Sequence, residues 1–333
     1  MPSRFRPRLV NGPFGDPGLF IPLQFDRRAL IFDLGDLGPL SARDLLKISH
    51  AFVTHTHMDH FVGFDPLLRC LLGREKDVAL FGPAGFLRNV EGKLAAYTWD
   101  LVDRQSCPLR LHVTEVRPEA LLRRCFVCAE GFAAQGDPLP LPFAGTLLAE
   151  PAFRVDAAVL AHSTDCLGLA ITERFHVNIL TPGLAALGLA PGPWLNRFKT
   201  AIFEGRDPDS DFEVGPAGGP GGRVLRLGEL ARTIARITPG RKIAYITDVG
   251  DTPANREAIA GLASDADLLF IEAAFLDADR DRAAARHHLT ARQAGEIASR
   301  VGARRFTLFH HSPRYEGREA EMEAEARAAY DAR

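Results

Sequence analysis

The segment His55-Thr56-His57-Met58-Asp59-His60 packs three histidines and an aspartate into six consecutive residues. It follows the apolar run His50–Thr54, which reads as a buried strand. On a tight turn, the H-x-H spacing lets two imidazoles converge on one ion at about 2.0–2.1 Å from each nitrogen. Asp59 and His60 point elsewhere and can serve a second ion nearby. Zinc and manganese both accept imidazole and carboxylate ligands, and zinc is the usual occupant of histidine-rich sites.

Working outward, further apolar runs read as strands: Ala29–Phe32, Val78–Phe81, Val155–Ala161, Leu167–Thr172, Ile243–Thr247, Leu268–Ile271 and Phe306–Phe309. His162, Asp248, Glu272 and His310 each come directly after one of them, as His55 does after its own. Layered α/β proteins gather ligands at one set of strand ends, so the five placements predict a single site built from distant segments. Asp251 is a rival to Asp248, and the strand-end position favours Asp248. His311, next to His310, reads as a supporting or structural residue.

Helical signals lie between the strands. Pro253 sits at a first helical position before Asn255–Ala263. Thr290-Ala291-Arg292-Gln293 is a capping box that opens Ala291–Val301, with Gly302 as the stop. Arg318–Ala329 reads as a solvated helix. Gly215–Gly222 reads as a mobile loop, and Pro182–Gly192 is also rich in Gly and Pro. No linker separates the site residues. Residues 1–333 therefore read as one α/β domain with a Gly/Pro-rich arm or loop region at 182–222.

Composition bounds the function. A chain with 46% hydrophobic and 25% charged residues is that of an ordinary soluble protein. A formal charge of −2 excludes a global attraction to nucleic acid and leaves local basic surfaces, such as Arg123-Arg124, Arg304-Arg305 and Arg314 with Arg318. No apolar h-region follows the basic Met1–Arg8, and no run is long enough to span a membrane. Five cysteines, an odd number, fit a reducing compartment without a disulfide framework and predict a cytoplasmic location. Cys125 and Cys128 have C-x-x-C spacing, but in an extended segment they face opposite ways and read as buried thiols.

With these residues in view, His55–His60 resembles the H-x-H-x-D-H motif of the metallo-β-lactamase superfamily. That resemblance implies an αββα four-layer sandwich with a dinuclear site along one edge of its two sheets. The likeness extends to the ribonuclease Z family of tRNA 3′-processing endoribonucleases. Leu30–Gly35 resembles its Asp-Gly strand end, His162–Ile171 its second histidine motif, and Tyr245–Asp248 its bridging-aspartate motif. His288–Ala298 resembles its His-Ser-Thr-helix motif and Leu308–Tyr315 its final His-x-Ser-x-Arg-Tyr motif. The matches keep the family's order and cover most of Ala29–Tyr315.

The resemblance implies one zinc ion held by His55, His57 and His162. It implies a second held by Asp59, His60 and His310, with Asp248 bridging the two, and manganese as an alternative metal. Two such ions, about 3.5–4 Å apart, activate water for in-line attack on phosphorus. Asp59 then orients or deprotonates that water, and His288, oriented by Glu272, stabilises the phosphate or protonates the leaving oxygen. The implied partners are precursor tRNA and a second copy of the chain in a homodimer. Four departures keep a smaller phosphodiester or ester, such as a cyclic nucleotide or a lactone, open as the substrate. The start reads Val10-Asn11-Gly12-Pro13-Phe14-Gly15 instead of the family's Gly-Thr and Pro-x-x-Arg-Asn pattern, and Ile271-Glu272-Ala273-Ala274 lacks the family's His and Thr. His311 stands where an apolar residue is common. In the arm, Arg197, Lys199 and Arg206 are offset by Glu204, Asp207, Asp209 and Asp211, a poor balance for gripping phosphates.

Overall fold

Short strands whose alternate residues face opposite ways set the architecture, seen here in a computed structural model that describes residues 4–24, 26–102, 108–134, 136–215 and 223–332. The first part of the chain runs β1 (Arg8–Leu9), β2 (Leu19–Pro22), β3 (Ala29–Phe32), α1 (Ala42–Leu45), β4 (Ile48–Phe52), α2 (Met58–Phe61), α3 (Phe64–Leu71), β5 (Asp77–Gly82) and α4 (Phe86–Ala95). It continues with β6 (Arg110–Val116), β7 (Ala120–Val127) and β8 (Leu139–Pro142). These eight strands form one sheet in sequence order, parallel from β3 to β6.

The middle part contributes β9 (Thr146–Ala149), β10 (Phe153–Ala161), β11 (Asp165–Glu173), β12 (Phe175–Ile179), α5 (Thr181–Ala186), α6 (Trp194–Phe203), β13 (Asp211–Val214), β14 (Arg223–Arg226), α7 (Leu227–Ile234) and β15 (Ala235–Pro239). The last part supplies β16 (Lys242–Ile246), α8 (Pro253–Ala263), β17 (Leu268–Glu272), α9 (Arg280–Ala285), α10 (Ala291–Arg300), β18 (Phe306–Phe309) and α11 (Glu319–Asp331). A six-stranded sheet has the order β18-β17-β16-β11-β10-β9, with β16, β17 and β18 parallel.

Side-chain alternation decides which face meets which layer. Ala29 and Ile31 of β3 join Leu67, Leu68, Phe86 and Val90 of α3 and α4 in one core. Phe32 faces the other way, edge-on to Phe52 at 5.5 Å and 5.9 Å from Tyr245 of β16. Ala244, Ile246, Leu269 and Ile271 pack with Ile259, Ala294 and Ile297 of α8 and α10 in a second core. Helices, sheet, sheet, helices is the αββα layering anticipated from sequence.

The described residues group into two compact units. The smaller comprises the described residues of Leu148–Arg154 and Thr172–Arg241 with Arg4, and the larger holds the other described residues. Within the smaller unit, β12 pairs with β15 and β13 with β14, both antiparallel. Part of the Gly/Pro-rich stretch Pro182–Gly192, within the expected arm or loop region, is helical. Gly183 lies on α5 where a Cβ would come within 2.1 Å of the Thr233 carbonyl oxygen, so this glycine serves close packing rather than a turn. Of the predicted loop Gly215–Gly222, residues 216–222 lie outside the described residues.

Three other expectations change. α11 is docked rather than merely solvated: Met322 and Ala326 are fully buried. A Cβ on Gly295 of α10 would meet the Ala326 carbonyl oxygen at 2.1 Å. β7 ends at Val127, and Cys128 opens a 3-10 turn. Cys128 is disulfide-bonded, not a thiol, whereas Cys125 is free and only half-buried. No helix among the described residues is long and apolar enough to cross a membrane.

Candidate metal centre

Each ligand-bearing segment is held in place by its neighbours. β4 ends at Phe52, two residues earlier than its apolar run suggests, and backbone pairing hands over to a side chain. Val53 still donates its N–H to the Phe81 carbonyl at 2.7 Å, but the N–H of Thr54 goes to Asp33 Oδ1 at 2.7 Å. The chain then turns through His55 and His57 into α2, which carries Asp59 and His60. At the end of β10, Asn255 Oδ1 accepts from the Ala161 N–H at 2.9 Å, and Asn255 Nδ2 donates to the Ala161 carbonyl at 2.8 Å. The same amide donates to the Gly250 carbonyl at 2.8 Å, so one buried side chain ties the His162 turn to the segment after Asp248.

Asp33, Asp248, His287 and His310 are left-handed, with φ of 59°, 46°, 58° and 60°. Such backbone costs about 1–3 kcal/mol per residue and persists where the surroundings enforce it, commonly at functional sites.

These segments converge. His55, His57, His162 and Asp248 present ligand-type atoms within 4.8 Å of one another, and so do Asp59, His60 and His310. His55 Nε2 lies 2.9 Å from His57 Nδ1 and 3.5 Å from Asp248 Oδ2, while His162 Nε2 is 3.6 Å from that oxygen. On the other side, Asp248 Oδ1 is 2.9 Å from His310 Nδ1 and 3.4 Å from His60 Nε2. Asp59 Oδ2 lies 3.1 Å from His310 Nε2 and 3.4 Å from His60 Nε2. Asp248 thus turns one oxygen toward each group. Asp251 does not reach them: it accepts from Gln293 Nε2 at 2.7 Å and from Arg256 Nη2 at 3.1 Å.

Burial sets the electrostatics. It pushes the His55 imidazole down to about 2, with nearby His60 adding to the effect, so the ring is neutral and its lone pair available. Burial also works against charge on Asp248 and His310. Their mutual attraction outweighs it, holding the carboxylate well below its ordinary range and raising His310 to about 10.

At the rim, His288 Nδ1 lies 3.1 Å from both oxygens of the fully buried Glu272. Burial favours a neutral His288, but the Glu272 charge prevails and raises its pKa. Glu272 Oε1 also accepts from the Val249 N–H at 2.9 Å, so one carboxylate braces both His288 and the backbone beside Asp248. His311 hydrogen-bonds the Ala273 carbonyl through Nδ1 at 2.7 Å and packs edge-on to Phe14, a structural placement.

Three contributors escaped the sequence reading. Asp33 is fully buried and accepts from Thr54 Oγ1 at 3.0 Å, Tyr245 OH at 3.0 Å and His60 Nδ1 at 2.9 Å. It therefore turns His60 Nε2 inward. The His287 carbonyl accepts from His162 Nδ1 at 2.8 Å and does the same for that ring. Asn255 is the third. Only Asp33 left a sequence trace, as a carboxylate immediately after an apolar strand. The groups open into a cavity of about 1030 Å³, whose walls include His57, Asp59, His162, Asp248, His288 and His310.

Set beside known proteins, residues 228–311 match the β-lactamase superfamily domain. The chain is 33% identical over 303 residues to "Ribonuclease Z" of Deinococcus radiodurans, covering 90% of this chain and 86% of the relative. It is 32% identical to "Ribonuclease Z" of Thermobifida fusca, covering 92% and 82%. Among solved structures, the short form of human tRNase Z aligns with a TM-score of 0.52 at 18% identity, over 93% of each chain. The metallo-β-lactamase fold protein YhfI of Bacillus subtilis aligns with a TM-score of 0.54 at 14% identity, over 98% and 94%. At such identities these two structures speak for the fold alone.

Proposed function

Because this chain belongs to the ribonuclease Z family and has the metallo-β-lactamase fold, we propose that it is a metal-dependent endoribonuclease that removes the 3′ trailer of precursor tRNA. The observation that carries the reading is Asp248, which turns one oxygen toward each of two ligand groups beneath the His288–Glu272 pair.

The fold implies a dinuclear metal site, and the residues present fit one. His60 Nε2 is buried and has no hydrogen-bond partner, although Asp33 occupies the other ring nitrogen. An unpartnered buried nitrogen is costly unless something ligates it. We assign one ion to His55, His57 and His162, the other to Asp59, His60 and His310, and the bridge to Asp248. Zinc suits this imidazole-rich set, with manganese as the alternative. Bound there, two ions would lower the pKa of a water and neutralise charge on the phosphate oxygens.

The chain's own residues supply the rest. Asp33 and the His287 carbonyl hold His60 and His162 in the tautomers that turn Nε2 inward. Asp59, whose side chain is 42% exposed, is free to orient a water from the cavity side. His288 donates Nδ1–H to Glu272, which leaves its Nε2 proton for the leaving ribose oxygen. The Gly/Pro-rich region 182–222 is read as the substrate arm, and the enzyme as a homodimer.

The test is to incubate the zinc- or manganese-loaded protein with a precursor tRNA and with bis(p-nitrophenyl) phosphate. Cleavage at the trailer junction, abolished by His57→Ala, is the expected result. Turnover of the small diester with the tRNA left intact would instead assign a small phosphodiester or ester as substrate.

A further inference from the structure

The acidic balance of the arm leaves open where an RNA strand finds its cations. Two arginines on the wall of the active-site cavity supply them. Arg282 on α9 and Arg286, its C-terminal cap, both line the cavity and are exposed. The Arg286 N–H bonds to the Arg282 carbonyl at 3.1 Å, so the two lie one helical turn apart. Residues four apart on a helix share a face, with Cβ atoms about 5–6 Å apart. Ala285, which also lines the cavity, leaves room beside them.

Their lack of carboxylate partners distinguishes them from their neighbours. Arg280 is bound to Asp277 at 2.8 Å, Arg256 to Glu296 at 2.9 Å, and Arg318 to Glu321 at 2.7 Å. Arg282 and Arg286 form no ion pair with a carboxylate among the described residues. Two unneutralised guanidiniums on one face of a cavity floored by the metal-ligand cluster suit a repeating anion better than a single one. Guanidinium also matches phosphate geometry bidentately.

We propose that Arg282 and Arg286 form an anion subsite for the RNA phosphates that flank the scissile one. The inference rests on the endoribonuclease reading above and adds the residues that engage the polymer.

The experiment compares Arg282→Gln/Arg286→Gln with Arg304→Gln, an arginine paired with Asp267 and absent from the cavity wall. Binding to a single-stranded oligoribonucleotide is read by fluorescence anisotropy in a His57→Ala background, between 50 and 200 mM salt. Cleavage of precursor tRNA and of bis(p-nitrophenyl) phosphate is measured in otherwise wild-type protein. The double variant should weaken oligonucleotide binding on the order of tenfold and lower the log–log salt slope by about 1.4, at ~0.7 per lost phosphate contact on a single strand. Its KM for precursor tRNA should rise by a similar factor, well beyond any change with the small diester. A Kd and salt slope equal to those of Arg304→Gln would overturn the subsite. An arginine-dependent slope in a protein that leaves precursor tRNA uncut would sink the endoribonuclease reading and keep the subsite.

Discussion

Glu272 shows how one carboxylate can govern the acid of the reaction. It is fully buried and, through its charge and hydrogen bonding, raises the His288 pKa against the effect of burial. The protonated His288 ring is the form that donates to a leaving oxygen, so activity should fall as pH rises through its pKa. Glu272→Gln removes the charge and keeps the shape. The alkaline limb of kcat/KM should therefore move to lower pH, and an unshifted limb would exclude this pairing from the chemistry. Asp248→Asn is expected to act earlier, at metal loading, and metal analysis should find fewer than about two ions per chain. The seven ligand candidates were legible because His55, His162, Asp248 and His310 each directly follow an apolar run, and His57, Asp59 and His60 crowd into the turn after the first of them. Asp33 also directly follows an apolar strand but did not stand out as part of the site, and Asn255 and the His287 carbonyl did not stand out at all. They act through contacts between segments far apart in the chain, and a backbone carbonyl has no sequence trace.

At the scale of elements, ligand placement depends on how the turns are tied together. Asn255, near the start of α8, holds both the end of β10 and the Gly250 carbonyl. Asn255→Ala should cost about 1–3 kcal/mol by leaving buried backbone groups unpaired. It should also weaken metal binding about 10- to 100-fold, the usual scale for a supporting contact behind a ligand. Denaturant melts with and without chelator separate the two effects. A similar test applies where α10 meets α11. Gly295→Val would drive a side chain into the Ala326 carbonyl, and the expected result is release of α11, seen as faster proteolysis after Arg318. β3, β4, β5, β16, β17 and β18 were readable as apolar runs because both of their faces are largely buried. β6 to β8 were not, since Glu115 in β6, Arg123 and Arg124 in β7 and the prolines of β8 break their apolar pattern. The docking of α11 was hidden because its buried face consists of one methionine and an alanine in a Glu/Ala/Arg-rich segment.

For the whole molecule, the centre draws ligands from residue 55 to residue 310, so any ion bound there holds distant parts of the chain together. Binding only to the folded form at a hundredfold excess over Kd adds about 2.7 kcal/mol, or about 5 °C in Tm at roughly 2 °C per kcal/mol. Chelation should therefore lower Tm by several degrees, and differential scanning calorimetry would detect it. An unchanged Tm would mean that the ligand cluster binds no ion tightly. The hydrogen bond from Tyr245 to Asp33 has a consequence for the order of assembly. Asp33 is made early, yet one of its donors and the shared aspartate three residues beyond that donor arrive only after residue 244. A nascent chain that has emerged with only its first histidine cluster holds His60 without this buttress and lacks the bridging carboxylate. The complete ligand set therefore exists only in chains in which both sheets have met, and a truncation ending before residue 245 is expected to hold fewer ions than the full chain.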